Sequence, residues 1–254
     1  MRTESKTLAG KVALVTGATR GIGRAIADKL ARAGCDIAAV YFTASDAADS
    51  LQRDVEKIGR RVCIVRGDVG KPESVDKIFE SVRQTFDRVD ILVSNAASGV
   101  LRPTAELTLK HWRWCLETNA LALNLFTQHA LPLMPNGGRI IALSSLGATR
   151  AFPDYGFVAA SKAALESLVR TLAVEHAARG VRVNAVSAGL VDTEALKAFR
   201  NRDELLAYFT DRNPTGTLVT AQQVADAVYL LCLPEAEMIN GQTLVVDGGF
   251  SVRG

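Results

Sequence analysis

The sequence has few residues of the kinds that cross-link a chain or bind a metal. Among 254 residues there are four cysteines, at positions 35, 63, 115 and 232, and three histidines. No Cys-x-x-Cys pair or other metal-ligand spacing occurs, which argues against a disulfide framework and against a metal site. We therefore expect four free thiols packed as small apolar side chains, and a reducing, cytoplasmic location.

A large excess of charge and a long apolar run are also missing. Thirty basic residues face 27 acidic ones, which leaves a net charge of +3. The charges are mixed along the chain, so nothing indicates a nucleic-acid partner. No uninterrupted apolar run approaches the ~18 residues that a membrane span needs. Residues 1–10 carry charges but no apolar core of a signal peptide. We therefore expect neither a membrane-bound nor a secreted protein.

Short β-branched apolar runs alternate with longer helical patterns. The predicted strands are 12–16, 37–41, 61–65, 89–94, 139–143, 181–186 and 244–246. Strands that are apolar throughout and separated by helices predict a parallel sheet covered on both faces. No linker or repeat interrupts the pattern. We predict that residues 1–254 form a single domain of the α/β class, with a Rossmann-like, doubly wound, mostly seven-stranded parallel sheet.

A glycine-rich turn joins the first predicted strand to the first helix. It reads Gly17-Ala18-Thr19-Arg20-Gly21-Ile22-Gly23. Glycines at such a junction let the backbone approach a pyrophosphate, and the helix N-terminus adds partial positive charge. The spacing is Gly-x3-Gly-x-Gly rather than G-x-G-x-x-G. Its place at the first strand-helix junction nevertheless predicts dinucleotide binding.

The end of the second strand indicates which dinucleotide binds. An acid there would bind the ribose 2′-hydroxyl of NAD and repel a 2′-phosphate. The chain reads Tyr41-Phe42-Thr43 and has no acid until Asp46, while Arg20 lies in the glycine loop, where it can meet a 2′-phosphate. We therefore expect NADPH rather than NADH as the cofactor. Arg20 as a solvated surface charge is the alternative.

Further motifs follow the glycine loop in order. They are Asn95-Ala96-Ala97, Asn119, Ser144-Ser145, Tyr155 with Lys162, and Val245-Val246-Asp247-Gly248-Gly249. With these motifs the chain resembles the short-chain dehydrogenase/reductase superfamily over essentially its whole length. Most of that superfamily carries Tyr-x3-Lys, which would place the tyrosine at position 158, where this chain has Val158. Tyr155 gives Tyr-x6-Lys instead, a spacing typical of enoyl-acyl-carrier-protein reductases. The flanking stretches most resemble the NADPH-dependent bacterial type III enzymes.

A displaced tyrosine suits enoyl chemistry. A ketoreductase donates a proton to the oxygen beside the carbon that receives hydride. An enoyl thioester receives hydride at C3, while charge accumulates on the thioester oxygen two carbons away. A shift of three residues moves the hydroxyl roughly 5 Å along a helix. This holds only if Tyr155 lies on or just before the helix that carries Lys162. Tyr155 as a packing residue in a loop is the alternative.

The resemblance implies a role for each motif residue. Tyr155 would be the proton donor, Lys162 would bind the nicotinamide ribose, and Ser145 would support the substrate oxygen. Asn119 would belong to a proton relay or be a satisfied core amide. Asp68 and Val69 would contact the adenine, unless Asp68 only caps the next segment. The residues expected to bind the cofactor are Gly17, Thr19, Arg20, Gly21, Ile22, Gly23, Tyr41, Asp68, Val69, Asn95, Ala96, Lys162 and Thr193.

One long polar segment, 188–220, departs from the strand-helix alternation. We predict a helix within 194–209 and a mobile lid at about 190–217 that covers the acyl chain. The apolar residues expected to line that chain are Leu196, Phe199, Leu205, Leu206, Tyr208 and Phe209. Lys197, Arg200 and Arg202 would meet the acidic surface or the phosphate of a carrier. A helix packed permanently on the body is the alternative.

The sequence therefore predicts an NADPH-dependent reductase of 2-enoyl thioesters, presented on acyl carrier protein in fatty-acid elongation or on coenzyme A. A ketoreductase or alcohol dehydrogenase, an enoyl-CoA reductase of a secondary pathway, and a non-catalytic dinucleotide-binding regulator are the alternatives. The resemblance also implies a homotetramer assembled through residues 107–134 and 155–178. Core packing explains the apolar content of those helices equally well.

Overall fold

Seven parallel strands form the centre of the computed structural model, which describes residues 7–43, 45–194, 196 and 202–253. The strands are β1 (Val12–Thr16), β2 (Asp36–Tyr41), β3 (Val62–Arg66), β4 (Ile91–Ser94), β5 (Gly138–Ser145), β6 (Val181–Ala188) and β7 (Thr243–Val246). Their order in the sheet is β3-β2-β1-β4-β5-β6-β7, and every neighbouring pair is parallel. The predicted seven-stranded doubly wound sheet is confirmed.

Helices cover both faces of this sheet. They are α1 (Gly21–Arg32), α2 (Ser45–Lys57), α3 (Pro72–Thr85), α4 (Leu109–Leu116), α5 (Ala122–Ala130), α6 (Gly156–His176), α7 (Arg202–Arg212) and α8 (Ala221–Cys232). Helices α3, α5 and α6 bury Phe79, Phe126 and Leu165 on one face. Helices α1, α2 and α8 bury apolar side chains on the other face. The strands are apolar throughout because both of their faces are covered.

The strand order reverses between β1 and β4. Successive connections leave the sheet in opposite directions there, so a crevice opens beyond the carboxyl ends of these strands. Thr16 ends β1, Ser94 ends β4 and Ser145 ends β5. The topology therefore brings three polar strand ends, distant in sequence, to one edge of the sheet.

The segment after β6 differs in detail from its prediction. The described helix there is Arg202–Arg212, so it continues past the predicted end at residue 209. Phe209 is the buried residue of this helix, and one more turn follows it. Lys197, Phe199 and Arg200, which we expected in the lid, lie outside the described residues.

The described chain holds four free, buried cysteines, as the sequence predicts. None of its helices is both long enough and apolar enough to cross a membrane. Its His, Cys, Asp and Glu side chains form no group of three or more that could hold a metal ion.

Candidate active site

The glycine loop between β1 and α1 leaves no room for a side chain at Gly17 or Gly23. Gly17 and Gly21 have φ values of +66° and +54°, a region that favours glycine. A Cβ on Gly23 would lie 2.1 Å from the carbonyl oxygen of Gly17. The backbone of this loop therefore lies directly against the first turn of α1, as the sequence predicts for a phosphate-binding turn.

Asn95 fastens this loop to the end of β4. Its side-chain amide donates to the carbonyl oxygens of Thr16 and Gly17, at 2.9 and 3.3 Å. The hydroxyl of Thr16 accepts in return from the backbone amides of Asn95 and Ala96, at 3.0 Å each. Asn95 thus holds the cofactor loop in shape, a contact that the expected role at the adenine ribose did not include.

Most of the other residues expected to bind the cofactor lie around this loop. Thr19 is buried beneath it. The methyl group of Thr193 lies 3.5 Å from the position that a Cβ of Gly21 would take, so residue 193 approaches the loop from the β6 side. Arg20 is exposed and immediately precedes α1, and within the described part of the chain its guanidinium makes no ion pair. A free cation therefore stands beside the helix N-terminus.

The expected adenine contacts lie farther out, on the β2–β3 side of the sheet. Tyr41 ends β2, and its carbonyl oxygen accepts from the amide of Gly67 at 2.8 Å. Asp68 accepts from the amide of Gly70 at 3.0 Å within its own turn. The N-cap of α3 is Lys71, so Asp68 does not cap that helix. Val69 beside it is buried.

Tyr155 immediately precedes α6, the helix that carries Lys162. Its hydroxyl donates to Oγ of Ser145 at 3.2 Å. Its ring lies against Gly147, where a Cβ would come within 2.5 Å of the ring. The pKa of Tyr155 is raised above that of a free tyrosine, chiefly by burial and also by Cys115, while the hydrogen bond to Ser145 opposes this change. The phenol is therefore protonated at neutral pH and able to donate.

The turn before Tyr155 has an unusual backbone. Asp154 has a φ of +63°, the only positive value for a non-glycine residue among those described. Its carbonyl oxygen accepts from the amide of Arg102 at 3.1 Å, and the amide of Tyr155 donates to Phe152 at 3.3 Å. Asp tolerates this left-handed region better than most residues. This turn sets the point at which the tyrosine meets the helix.

Val158 occupies the position that carries the tyrosine in most of the superfamily. It is buried, and its side chain lies against Gly99, where a Cβ would come within 2.2 Å of it. The ordinary tyrosine position is therefore filled by apolar packing. Among residues 155–162, the phenolic hydroxyl at the site comes from Tyr155 alone.

Lys162 lies two helical turns after Tyr155 and is buried. Its Nζ donates to the carbonyl oxygen of Leu143 at 2.6 Å, its one described acceptor, which leaves two of the three ammonium protons for a ligand. Burial lowers the pKa of Lys162 to about 8, while Glu166 opposes that change. Lys162 and Tyr155 make no hydrogen bond to each other, so the structure does not bring the ammonium onto the phenol.

Asn119 is a fully paired amide in the turn 117–121. It accepts from the amide of Ser98 at 2.8 Å and donates to the carbonyl oxygen of Ser98 and to Oγ of Ser161, both at 2.9 Å. Ser161 in turn donates to the carbonyl oxygen of Val158. The satisfied core amide, one of our two interpretations, accounts for all of these contacts. The side chain ties the turn to α6 beside Lys162.

Two polar residues that the sequence reasoning assigned no role lie at the centre of this site. Ser144 donates to Oε1 of Glu166 at 2.5 Å, and both residues are buried. The sequence feature that could have indicated this contact is Glu166, an acid four residues after Lys162 on an otherwise apolar face of the helix. The hydroxyl of Thr16, at the end of β1, was a second missed contact.

Helix α7 forms one wall near the tyrosine. Phe209 stacks on Phe250 with ring centroids 4.5 Å apart and lies 5.8 Å from Phe152. Phe152 meets the ring of Tyr155 edge-on at 6.4 Å. At the start of the helix, Arg202 pairs with Asp192 in the loop after β6, at 2.7 Å. A cluster of aromatic rings, in which Phe209 and Phe250 are buried and Phe152 is partly buried, thus adjoins the proposed proton donor.

These features fit a dinucleotide cofactor. Gly23 lets the loop backbone lie against the first turn of α1, because a Cβ there would clash with the carbonyl oxygen of Gly17. The buried ammonium of Lys162 retains N–H donors for the hydroxyl groups of a ligand. The arrangement offers a phosphate-binding backbone and, about two strands away at the same sheet edge, a protonated phenol.

Comparisons with known proteins agree with this geometry. A family model described as enoyl-(acyl carrier protein) reductase matches residues 17–251. The chain is 41% identical to 1-cyclohexenylcarbonyl-CoA reductase of Streptomyces collinus over 95% of its own length and 87% of that protein's. It is 34% identical to the hydroxynaphthalene reductase-like protein Arp2 of Metarhizium majus over 96% of each. A short-chain dehydrogenase from Burkholderia cenocepacia, solved in complex with NADP, superposes with a TM-score of 0.89 at 34% identity, covering 96% of this chain and 99% of that one.

Proposed function

The chain belongs to the short-chain dehydrogenase/reductase family and is an oxidoreductase, and from this premise we propose that it reduces the C2–C3 double bond of a 2-enoyl thioester with NADPH. The observation that carries the proposal is the position of the phenol. Tyr155 precedes α6 and donates to Ser145, while Val158 fills the ordinary tyrosine position. The one phenol among residues 155–162 therefore lies one helical turn farther from Lys162 than in most of the family.

NADPH is the proposed cofactor, and it would supply the hydride when bound. The glycine loop and the N-terminus of α1 would bind its pyrophosphate. Arg20, which has no described ion pair, would bind the 2′-phosphate, since no acid stands at the end of β2 and the next one is Asp46. The two remaining N–H groups of Lys162 would donate hydrogen bonds to the hydroxyl groups of the nicotinamide ribose. The structure of the Burkholderia cenocepacia relative with NADP supports this choice.

Tyr155 would stabilise and protonate the thioester oxygen, and the resulting enol would take a solvent proton at C2 and lose its oxygen proton as it collapses to the saturated thioester. The raised pKa of Tyr155 keeps the phenol protonated, and the phenolic hydroxyl donates a hydrogen bond to Oγ of Ser145. When a thioester oxygen replaces Ser145 as acceptor, the serine hydroxyl is free to turn and donate to the same oxygen. Two donors placed before the charge develops are the main source of rate enhancement that we expect here.

The thioester substrate is better assigned to coenzyme A than to acyl carrier protein. The Streptomyces collinus relative is named for a coenzyme A thioester whose double bond is conjugated with the carbonyl group, and it is 41% identical to this chain. That name supports an enoyl-CoA reductase of a secondary pathway, one of our alternatives, over the fatty-acid elongation enzyme that we expected first. The partly buried ring of Phe152, packed on Phe209 and beside Tyr155, would contact a bulky or cyclic acyl group.

A substrate panel tests this function. NADPH consumption is measured with crotonyl-CoA and 1-cyclohexenylcarbonyl-CoA, with the N-acetylcysteamine thioesters of both acids, and with acetoacetyl-CoA and simple ketones. The proposal predicts turnover of the enoyl thioesters, with coenzyme A preferred. Turnover of the keto substrates alone would assign the protein to the ketoreductases, as the hydroxynaphthalene reductase-like relative suggests. NADPH binding without turnover would indicate a regulator.

We also propose a cytoplasmic homotetramer. The helices that the family resemblance points to expose large apolar side chains, among them Leu109, Trp112 and Trp114 on α4 and Val174 on α6. Exposed apolar surface of this kind often marks an interface between chains. Light scattering should give the mass of four chains, and the mass of one chain would contradict the assembly.

A further inference from the structure

Three consecutive residues at the end of β5 each hold a different polar group of the α6 region. The carbonyl oxygen of Leu143 accepts from Lys162 at 2.6 Å. The next residue, Ser144, donates to Glu166 at 2.5 Å, and Ser145 accepts from Tyr155 at 3.2 Å. Two of these contacts involve residues already assigned to the reaction. The middle contact has no role in that assignment, although it lies between the other two.

The middle contact joins two buried groups. Glu166 and Ser144 are both about nine-tenths buried, and the serine hydroxyl is the one described hydrogen-bond donor to the carboxylate. A carboxylate removed from water is costly unless a positive charge compensates it. Lys162 lies one turn earlier on the same helix face, at the spacing where side chains meet. The described residues show no direct ion pair between the two side chains, so the carboxylate acts on the buried ammonium through its charge alone.

The other titratable groups around α6 are occupied or remote from this pair. On Lys162 itself, burial and Glu166 are the two influences. Cys115 of α4 acts on Tyr155, Glu117 of the adjoining turn pairs with Lys71, and Arg182 of β6 pairs with Glu237. The end of β5 contributes only hydroxyl groups and a carbonyl. Among the described residues, Glu166 is thus the carboxylate whose charge acts on Lys162.

We propose that Glu166, held by the hydroxyl of Ser144, is a positioning residue that acts through Lys162 and keeps its ammonium protonated where Leu143 binds it at the end of β5. A neutral lysine would offer fewer donors and no charge to the ribose hydroxyls and phosphates of the cofactor. Burial lowers the pKa of Lys162 to about 8 even with Glu166 present, so without the carboxylate the amine would lose its proton at lower pH.

The direct test is the titration of Lys162 in the protein without cofactor. Lysines are labelled with 13C at Cε, the Lys162→Arg variant assigns the signal, and the chemical shift is followed against pH by NMR. Glu166→Gln keeps the size of the side chain and an oxygen that accepts from Ser144, but removes the charge. We expect its midpoint to fall by about one pH unit below that of the unchanged protein. Glu175→Gln removes an exposed carboxylate from the same helix and should leave the midpoint unchanged.

A binding measurement gives a second readout. The ratio of the NADPH dissociation constants of Glu166→Gln and the unchanged protein should rise as pH increases through the range where Lys162 titrates. A purely structural defect would raise that ratio equally at every pH. An unchanged Lys162 midpoint in Glu166→Gln would overturn the proposal.

Thermal melting first establishes that the variants fold. If Glu166→Gln does not fold, Glu166→Asp takes its place, because it keeps a charge but withdraws it by one methylene group. A lowered midpoint would then support the proposal, and an unchanged midpoint would contradict it. The inference rests on the proposed role of Lys162 at the cofactor. The titration needs neither cofactor nor enoyl substrate, so its failure is distinguishable from failure of the proposed function.

Discussion

The proposed chemistry depends on a single group, the hydroxyl of Tyr155. Tyr155→Phe removes the proton donor and leaves the ring against Gly147. We expect enoyl reduction to fall roughly 10²–10⁴-fold, while the dissociation constant for NADPH stays nearly unchanged. Steady-state kinetics and cofactor titration measure the two effects separately.

Tyr229→Phe is the matched control for this variant. Tyr229 lies on α8, and its hydroxyl bonds only to Thr7 among the side chains of the described residues. It should lose no activity. Near-normal turnover of Tyr155→Phe would remove Tyr155 from the mechanism and favour the packing interpretation of this residue.

Arg20 carries the cofactor preference at the same scale. Arg20→Ala should weaken the binding of NADPH more than the binding of NADH, because only NADPH has a 2′-phosphate. A charge-assisted contact contributes about 1.5–3 kcal/mol, which is roughly tenfold to a hundredfold in affinity. Arg32→Ala, at the exposed far end of α1, is the control and should change neither affinity. Equal losses for both cofactors would mean that Arg20 is a solvated surface charge.

Among the elements, the turn that connects β1 to α1 has no space for a Cβ at Gly23. Gly23→Ala would place a Cβ 2.1 Å from the carbonyl oxygen of Gly17 and 2.5 Å from the Asn95 amide, so the loop must shift. We expect NADPH binding to be lost and the melting temperature to fall. At Gly70 the nearest atoms to an added Cβ lie at 3.4 Å, an ordinary contact, so Gly70→Ala should bind NADPH normally. Normal binding by Gly23→Ala would contradict this account of the loop.

The segment between β6 and α8 is the second element with a testable behaviour. We propose that residues 190–217 close over the acyl group. In the described part, α7 buries Phe209, and Arg202 pairs with Asp192. Limited proteolysis should cleave this segment quickly in the protein alone and slowly with NADPH and an enoyl substrate analogue. Equal cleavage with and without ligands would favour a helix packed permanently on the body.

Elements were predictable where one local signal determined them. The seven strands follow from short apolar runs, and the glycine loop follows from its place after β1. The contact between Ser144 and Glu166 was not predictable, because it joins a strand to a helix 22 positions later. The positive φ of Asp154 was not predictable for another reason. Asp is common in turns of many kinds, so its presence does not specify a left-handed backbone.

At the scale of the whole molecule, the sheet order explains why one site forms. Strands β1, β4 and β5 are neighbours, although they are far apart in sequence. Their carboxyl ends bring the glycine loop, Asn95 and Ser145 to the same edge. The sequence predicted the parallel sheet and therefore this edge. It did not predict the pairing of Asn95 with the loop, because that contact depends on the order of the strands.

The most direct test of enoyl reduction is the position of the transferred hydrogen. Crotonyl-CoA or 1-cyclohexenylcarbonyl-CoA is incubated with the protein and NADPH that carries deuterium at C4 on the transferred face, and the product is examined by NMR and mass spectrometry. The account predicts a saturated thioester with one deuterium at C3 and a solvent-derived hydrogen at C2. The account would be contradicted if the protein did not reduce these enoyl substrates but did reduce acetoacetyl-CoA, with deuterium on the carbinol carbon of the hydroxyacyl product.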